Sequence, residues 1–124
     1  MTQPASILVV DDNVENRKLA ERMLKRRGIA VVEHADSAVE CLRALETRSF
    51  DVILMYISMP EISGIELCRM VRRTPHGAET CIVACTAHAS QKDAASFARL
   101  GFDRVLTKPF LKEDLYKAIG LEPA

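Results

Sequence analysis

The sequence has no surplus of either charge, no long apolar run, no paired-cysteine motif and no glycine-rich loop, and each lack removes a class of function. Seventeen lysines and arginines face 17 aspartates and glutamates, so no charge excess draws the chain to nucleic acid or to an anionic membrane. No helix-turn-helix or basic reading helix is evident, and direct DNA binding is not expected. The apolar runs are only a few residues long, far below the ~20 of a membrane-spanning helix. The start MTQPAS lacks the basic-then-apolar layout of a signal peptide, and a cytoplasmic location is expected. Cys41, Cys68, Cys81 and Cys85 sit in apolar segments without CxxC spacing, the nearest pair being a weak C-x3-C, and read as buried reduced thiols. His34, His76 and His88 share no metal spacing and read as surface or loop residues.

What is present is an alternation. At 124 residues, 48% hydrophobic and 27% charged, the chain has the size and composition of one compact domain, 1–124. Short fully apolar runs at Ile7–Val10, Val52–Met55 and Cys81–Ala84 suit strands covered on both faces. Val31 and Val32 mark a strand over Ala30–Glu33, and Val105-Leu106 a last one. Between them lie helical patterns. Val14–Arg27 repeats Leu19, Ala20, Met23 and Leu24 at helical spacing and stops at Gly28, and Ser37-Ala38-Val39-Glu40 is a capping-box start for a helix to about Thr47. Ile65–Arg73 ends before Thr74-Pro75-His76-Gly77, Gln91–Leu100 carries Ala94, Ala95, Phe97, Ala98 and Leu100 as its apolar side, and Lys112–Ile119 ends at Gly120. The basic clusters Lys25-Arg26-Arg27 and Arg72-Arg73 read as solvated helix ends complementing the dipole. The pattern implies an α/β, doubly wound, five-stranded parallel sheet in the order 2-1-3-4-5, the flavodoxin-like arrangement.

In that arrangement the stretch Asp51–Gly64, DVILMYISMPEISG, delivers Tyr56 to the carboxyl edge of the sheet, where chemistry collects. The ends of the other strands bring Asp11, Asp12, Thr86 and Lys108 to the same edge. Two carboxylates, a hydroxyl and a lysine suit a divalent cation such as Mg²⁺ together with a phosphoryl group. Each element also has a plainer reading. Asp11-Asp12 alone would be a helix-capping pair, Lys108-Pro109 a turn, and Tyr56 an amphipathic strand end with its ring packed and its hydroxyl wet.

Taken together, VVDDN at 9–13, MP at 59–60, Gly64, TA at 86–87 and KP at 108–109 resemble the receiver domains of two-component signalling, built like the chemotaxis response regulator. The resemblance covers nearly the whole length, and DDNVENRKL, ACTAHA and LTKPF look most like receivers of hybrid histidine kinases. It implies that Asp11 and Asp12 are the acidic pair for Mg²⁺, that Ser58 offers the metal a backbone carbonyl, that Thr86, followed by Ala87, contacts a bound phosphoryl group, and that Lys108 pairs with it. It implies a histidine kinase or histidine phosphotransfer protein as partner, met through the first helix and the loops around the pocket. It implies a signalling module, not an enzyme.

Two positions depart from the family pattern. Tyr56 falls where the family carries its phospho-accepting aspartate. A phenol with a reference pKa of about 10 is protonated at neutral pH and reaches farther from the backbone than a carboxylate, so aspartyl phosphorylation is lost and Mg²⁺ affinity is expected to fall. Lys108 is left to pair with Asp11 or Asp12, or to donate to the Tyr56 hydroxyl. The aromatic switch position falls on Val105, which has no ring to rotate. The expected function is therefore a receiver that is not phosphorylated at the usual position and acts through protein contacts. The alternatives are an engineered Asp-to-Tyr variant of a conventional phosphorelay receiver, and a small flavodoxin-like nucleotide- or flavin-binding protein. The last needs a glycine-rich loop after the first strand, where this chain has DDNVEN.

Overall fold

A computed structural model describes residues 4–87 and 91–120. In chain order they form β1 (Ser6–Val10), α1 (Val14–Arg26), β2 (Val31–Ala35), α2 (Ala38–Thr47), β3 (Val52–Tyr56), α3 (Gly64–Arg72), β4 (Cys81–Thr86), α4 (Gln91–Arg99), β5 (Arg104–Thr107) and α5 (Lys112–Ala118). The strands make one five-stranded sheet in the order β2-β1-β3-β4-β5, with every pairing parallel. This is the doubly wound arrangement expected from the alternation of apolar runs and helices. No helix among the described residues is long and apolar enough to cross a membrane.

The period of two along each strand divides the core between the sheet's faces. Leu8, Val10, Ile53, Met55, Ile82 and Ala84 point to one face, where Leu45 of α2, Leu67 and Val71 of α3 and Phe97 of α4 cover them. Ile7, Val9, Val52, Leu54, Val83 and Cys85 point to the other, against Ala20 and Leu24 of α1 and Leu115 of α5. A residue such as Ile53 or Ile82, with no exposed surface, contributes about 1.5–3 kcal/mol by burial. That is why the central strands read as unbroken apolar runs.

The helix ends carry their own signals. Asn13, Ser37 and Ser63 cap α1, α2 and α3 through side-chain oxygens that accept from the amides of Asn16, Glu40 and Glu66. The acid pair Asp11-Asp12 is therefore not the cap of α1. Gly64 opens α3 because nothing larger fits: a β-carbon there would lie 2.5 Å from the Tyr56 carbonyl oxygen and 2.8 Å from Ile57 Cα. The Gly64 amide instead donates to the Ile57 carbonyl at 2.9 Å, folding the β3–α3 loop tightly behind Tyr56.

Several expected details shift. β2 runs Val31–Ala35 where the sequence suggested Ala30–Glu33; as an edge strand it buries only Ala35 fully, so its apolar signal is weak. Leu19 is 45% exposed although its spacing placed it on the apolar face of α1; the buried residues of that helix are Ala20 and Leu24. On α4 Phe97 is buried and Leu100 half-buried, while Ala95 and Ala98 are exposed, and the side chain of Ala94 lies outside the described residues. Arg72 is not a solvated helix end. Its guanidinium donates to the carbonyls of Gly77, Ala78, Thr80 and Gly101 and pairs with Asp103 at 2.8 Å, joining the α3–β4 and α4–β5 loops. His34 is exposed and 3.2 Å from Glu21, and half-buried His76 meets the Leu45 carbonyl at 2.6 Å; His88 lies outside the described residues.

Candidate functional site at the carboxyl edge of the sheet

The site is built from the ends of β1, β3, β4 and β5. The Asp11 amide donates to the Ala35 carbonyl at 3.1 Å, continuing the β1–β2 ladder one residue past the strand and turning the Asp11 side chain inward. Asp11 is 4% exposed, whereas Asp12, next in the loop, is exposed. Burying a carboxylate requires that its charge and lone pairs be met, and both Asp11 oxygens are engaged. Oδ1 accepts from the Asn13 amide at 2.9 Å, and Oδ2 accepts from Lys108 Nζ at 3.0 Å. The Arg17 guanidinium adds a bond to the Asp11 backbone carbonyl at 2.7 Å. Arg17 carried no signal in the sequence beyond its place on the first turns of a helix.

Lys108 reaches this carboxylate from beyond β5. Its amide donates to the Thr86 carbonyl at 2.8 Å, so the lysine is registered against the end of β4, and the Lys108-Pro109 peptide is cis. Its ammonium also lies 4.1 Å from the centroid of the Tyr56 ring, well inside the ~6 Å range of cation–π attraction. Of the three partners open to Lys108 on sequence grounds, the structure selects Asp11, with the Tyr56 ring, not its hydroxyl, as the second contact.

Tyr56 is the last residue of β3, opposite Cys85 of β4 in register, and is half-buried. The Cys85 thiol is buried beside the pair. Desolvation pushes its pKa up to about 12, the Lys108 charge draws it back and Asp11 pushes it further; it is a protonated, inert thiol at neutral pH. Thr86, at the end of β4, is 8% exposed and paired in register with Thr107. Ala87 follows it and is exposed, and Ser58 is exposed in the β3–α3 loop. The structure thus brings Asp11, Tyr56 and Lys108 into contact and places Thr86 and Ala87 on the adjoining strand end. Asp12 and Ser58 sit on the solvent side of the same edge.

Residues 7–120 match the family described as the response regulator receiver domain. The chain belongs to that family. The signal transduction histidine-protein kinase BarA from Escherichia coli strain K12 is among its relatives: 32% identity over 114 residues covers 92% of this chain and 12% of BarA. The chain therefore spans a small fraction of that relative. Among solved structures, the chemotaxis regulator CheY4 of Vibrio cholerae superposes with a TM-score of 0.84 at 31% identity, covering 91% of this chain and 93% of that one. The receiver domain of the sensor histidine kinase PA1611 from Pseudomonas aeruginosa PAO1, described with a magnesium ion coordinated in its active-site cleft, superposes with a TM-score of 0.80 at 30% identity, covering 96% and 95%.

Receivers are signalling modules of two-component systems and are in general not enzymes; they typically bind Mg²⁺ and meet histidine kinases and phosphotransfer proteins. The oxygen donors at this edge differ in exposure and in partners. Mg²⁺ wants oxygen ligands in near-octahedral array. Here one carboxylate is buried and already shared between Lys108 and a backbone amide, one is exposed, and position 56 supplies a phenol. No group of three or more His, Cys, Asp or Glu side chains among the described residues is placed to hold a metal.

Proposed function

We propose that this receiver takes no phosphoryl group at the usual position, because Tyr56 stands where the family carries its acceptor aspartate, and that it works through protein contacts. The observation that carries this reading is the trio at the sheet edge. The lysine that would neutralise a phosphoryl group is held at 3.0 Å by Asp11 and lies over the Tyr56 ring at 4.1 Å. A phenol at position 56 cannot form the acyl phosphate that an aspartate carboxylate forms. Asp11, Asp12 and the Ser58 carbonyl remain as metal donors, and Mg²⁺ binding is weakened because Asp11 must first release Lys108. The partners are a histidine kinase or a histidine phosphotransfer protein, with no direct nucleic-acid or membrane contact. The protein is cytoplasmic.

Retention of Asp11, Asp12, Thr86 and Lys108 supports a second reading. The chain would be a conventional phosphorelay receiver silenced by one Asp-to-Tyr exchange, and the residues around position 56 would still support phosphorylation once an aspartate is restored. Under both readings, partner binding by the unaltered chain does not depend on a phosphodonor. Its affinity for a histidine phosphotransfer domain, measured by titration calorimetry, is expected to change less than twofold when an acyl phosphate and Mg²⁺ are added. A large, phosphodonor-dependent rise in affinity refutes the proposal.

A further inference from the structure

A cavity of about 360 Å³ opens beside the Tyr56–Lys108–Asp11 trio, between α1, the sheet and the β5–α5 connection. Its walls are largely apolar: Leu19 and Ala20 of α1, Leu54 of β3, the Tyr56 ring, and Pro109 and Phe110 after β5. Small-molecule sites begin at ~300 Å³. This one is large enough for a substituted ring. The half-exposed Leu19 lines it, an apolar side chain on α1 that the core does not absorb.

The polar groups of the cavity restrict what can enter. Asp11 and Lys108 both line it, and they neutralise each other at 3.0 Å. An anionic guest would have to break that pair or approach the buried carboxylate, and a cationic guest would meet Lys108. An ammonium has three N–H donors. One serves Asp11 Oδ2 and the charge rests on the Tyr56 ring, which leaves donor capacity for a guest's acceptor. We infer that this cavity is a binding site for a small neutral aromatic molecule bearing one hydrogen-bond acceptor, its ring among Leu19, Leu54 and Phe110 and its acceptor on Lys108. The site deepens the proposed function and rests on its premise that no phosphoryl group uses this edge. A guest there would brace Tyr56 and Lys108 and couple small-molecule binding to the loops that face partners.

The test uses the whole chain and acetophenone, a neutral ring with one carbonyl acceptor, followed by amide chemical-shift perturbation without phosphodonor. Saturable shifts are expected at the amides of Leu19, Ala20, Ala87 and Phe110. Benzoate, of the same size but anionic, is expected to bind at least about tenfold more weakly, a difference of ~1.4 kcal/mol. Ala20→Leu fills the cavity from α1. Ala87→Phe fills it from an exposed position on its wall, where folding is not at stake. Each is expected to weaken acetophenone at least tenfold. The inference is overturned by the absence of saturable shifts up to the solubility limit, by shifts confined to another face, by unchanged affinity in both variants, or by benzoate binding as well as acetophenone. Phosphorylation of the unaltered chain would undo the proposed function but leave the acetophenone result standing, so the two failures are told apart.

Discussion

Replacing Lys108 by methionine keeps most of the side-chain volume and deletes the charge that faces Asp11. At 3.0 Å and an effective dielectric of 20, opposite unit charges attract by about 5.5 kcal/mol before desolvation is counted. The lysine side chain is 21% exposed and the aspartate 6%, so water screens the pair less than the exposed pairs worth ~0–1 kcal/mol. Breaking a fully buried pair costs ~3–5 kcal/mol. Asp11 keeps its bond from the Asn13 amide in the variant, which places the expected loss between these limits, at about 2 kcal/mol. With a urea slope near ~2 kcal/mol/M, that lowers the unfolding midpoint by about 1 M. The assay is a double-mutant cycle in urea at pH 7 with Lys108→Met, Asp11→Asn and the pair. A coupling energy of about 1.5–2 kcal/mol is expected. Coupling below ~0.5 kcal/mol would mean that the pair contributes nothing and that Lys108 is not committed to Asp11.

Three further outcomes are expected. Arg72→Met should cost about 2–3 kcal/mol in urea denaturation, because it strands carbonyls in both the α3–β4 and α4–β5 loops, while Arg73→Met at an exposed position should cost less than ~0.5 kcal/mol. Gly64→Ala should destabilise the chain by more than ~1 kcal/mol and broaden the amide signals around Tyr56, since its β-carbon would meet backbone at 2.5 Å; a neutral effect would show that the β3–α3 loop is free to move. Burial raises the Cys41 and Cys85 thiols from an ordinary 9.0 to about 12 and Cys68 to about 11. They should resist a disulfide reagent in the folded protein at pH 8 and react on unfolding. Their folded values are raised, so the stability they contribute is complete below pH 9.0 and declines between 9.0 and about 12, the unfolded chain releasing its thiol protons first. A denaturation midpoint that rises from pH 9 to pH 10 would contradict this.

The strands that the sequence made plain are those buried on both faces. Ile7–Val10, Val52–Met55 and Cys81–Ala84 lie within the observed β1, β3 and β4, because doubly covered strands have no polar side to interrupt the run. The edge strand β2 was displaced by up to two residues because half-buried Glu33 and exposed His34 put polar residues into the run and break that signal. The edge residues Asp11, Tyr56, Thr86 and Lys108 could be named from strand ends alone. The choice between Asp11 and Asp12 could not, since neighbours in sequence diverge at the end of a strand and only the ladder bond to Ala35 decides which is buried. Arg72 and Arg73 look alike in the sequence. Their difference comes from loops some thirty residues away in the chain, at Gly101 and Asp103. The cavity was equally hidden, being space left where α1, β3 and the β5–α5 connection fail to close.

Phosphate transfer measures the chemistry of position 56 directly. The purified chain and its Tyr56→Asp variant are incubated with a small acyl phosphate donor and Mg²⁺, and bound phosphate is read by intact mass before and after hydroxylamine. No hydroxylamine-sensitive phosphate is expected on the unaltered chain, and one such group is expected on Tyr56→Asp. A hydroxylamine-sensitive phosphate on the unaltered chain would refute the proposed role of Tyr56.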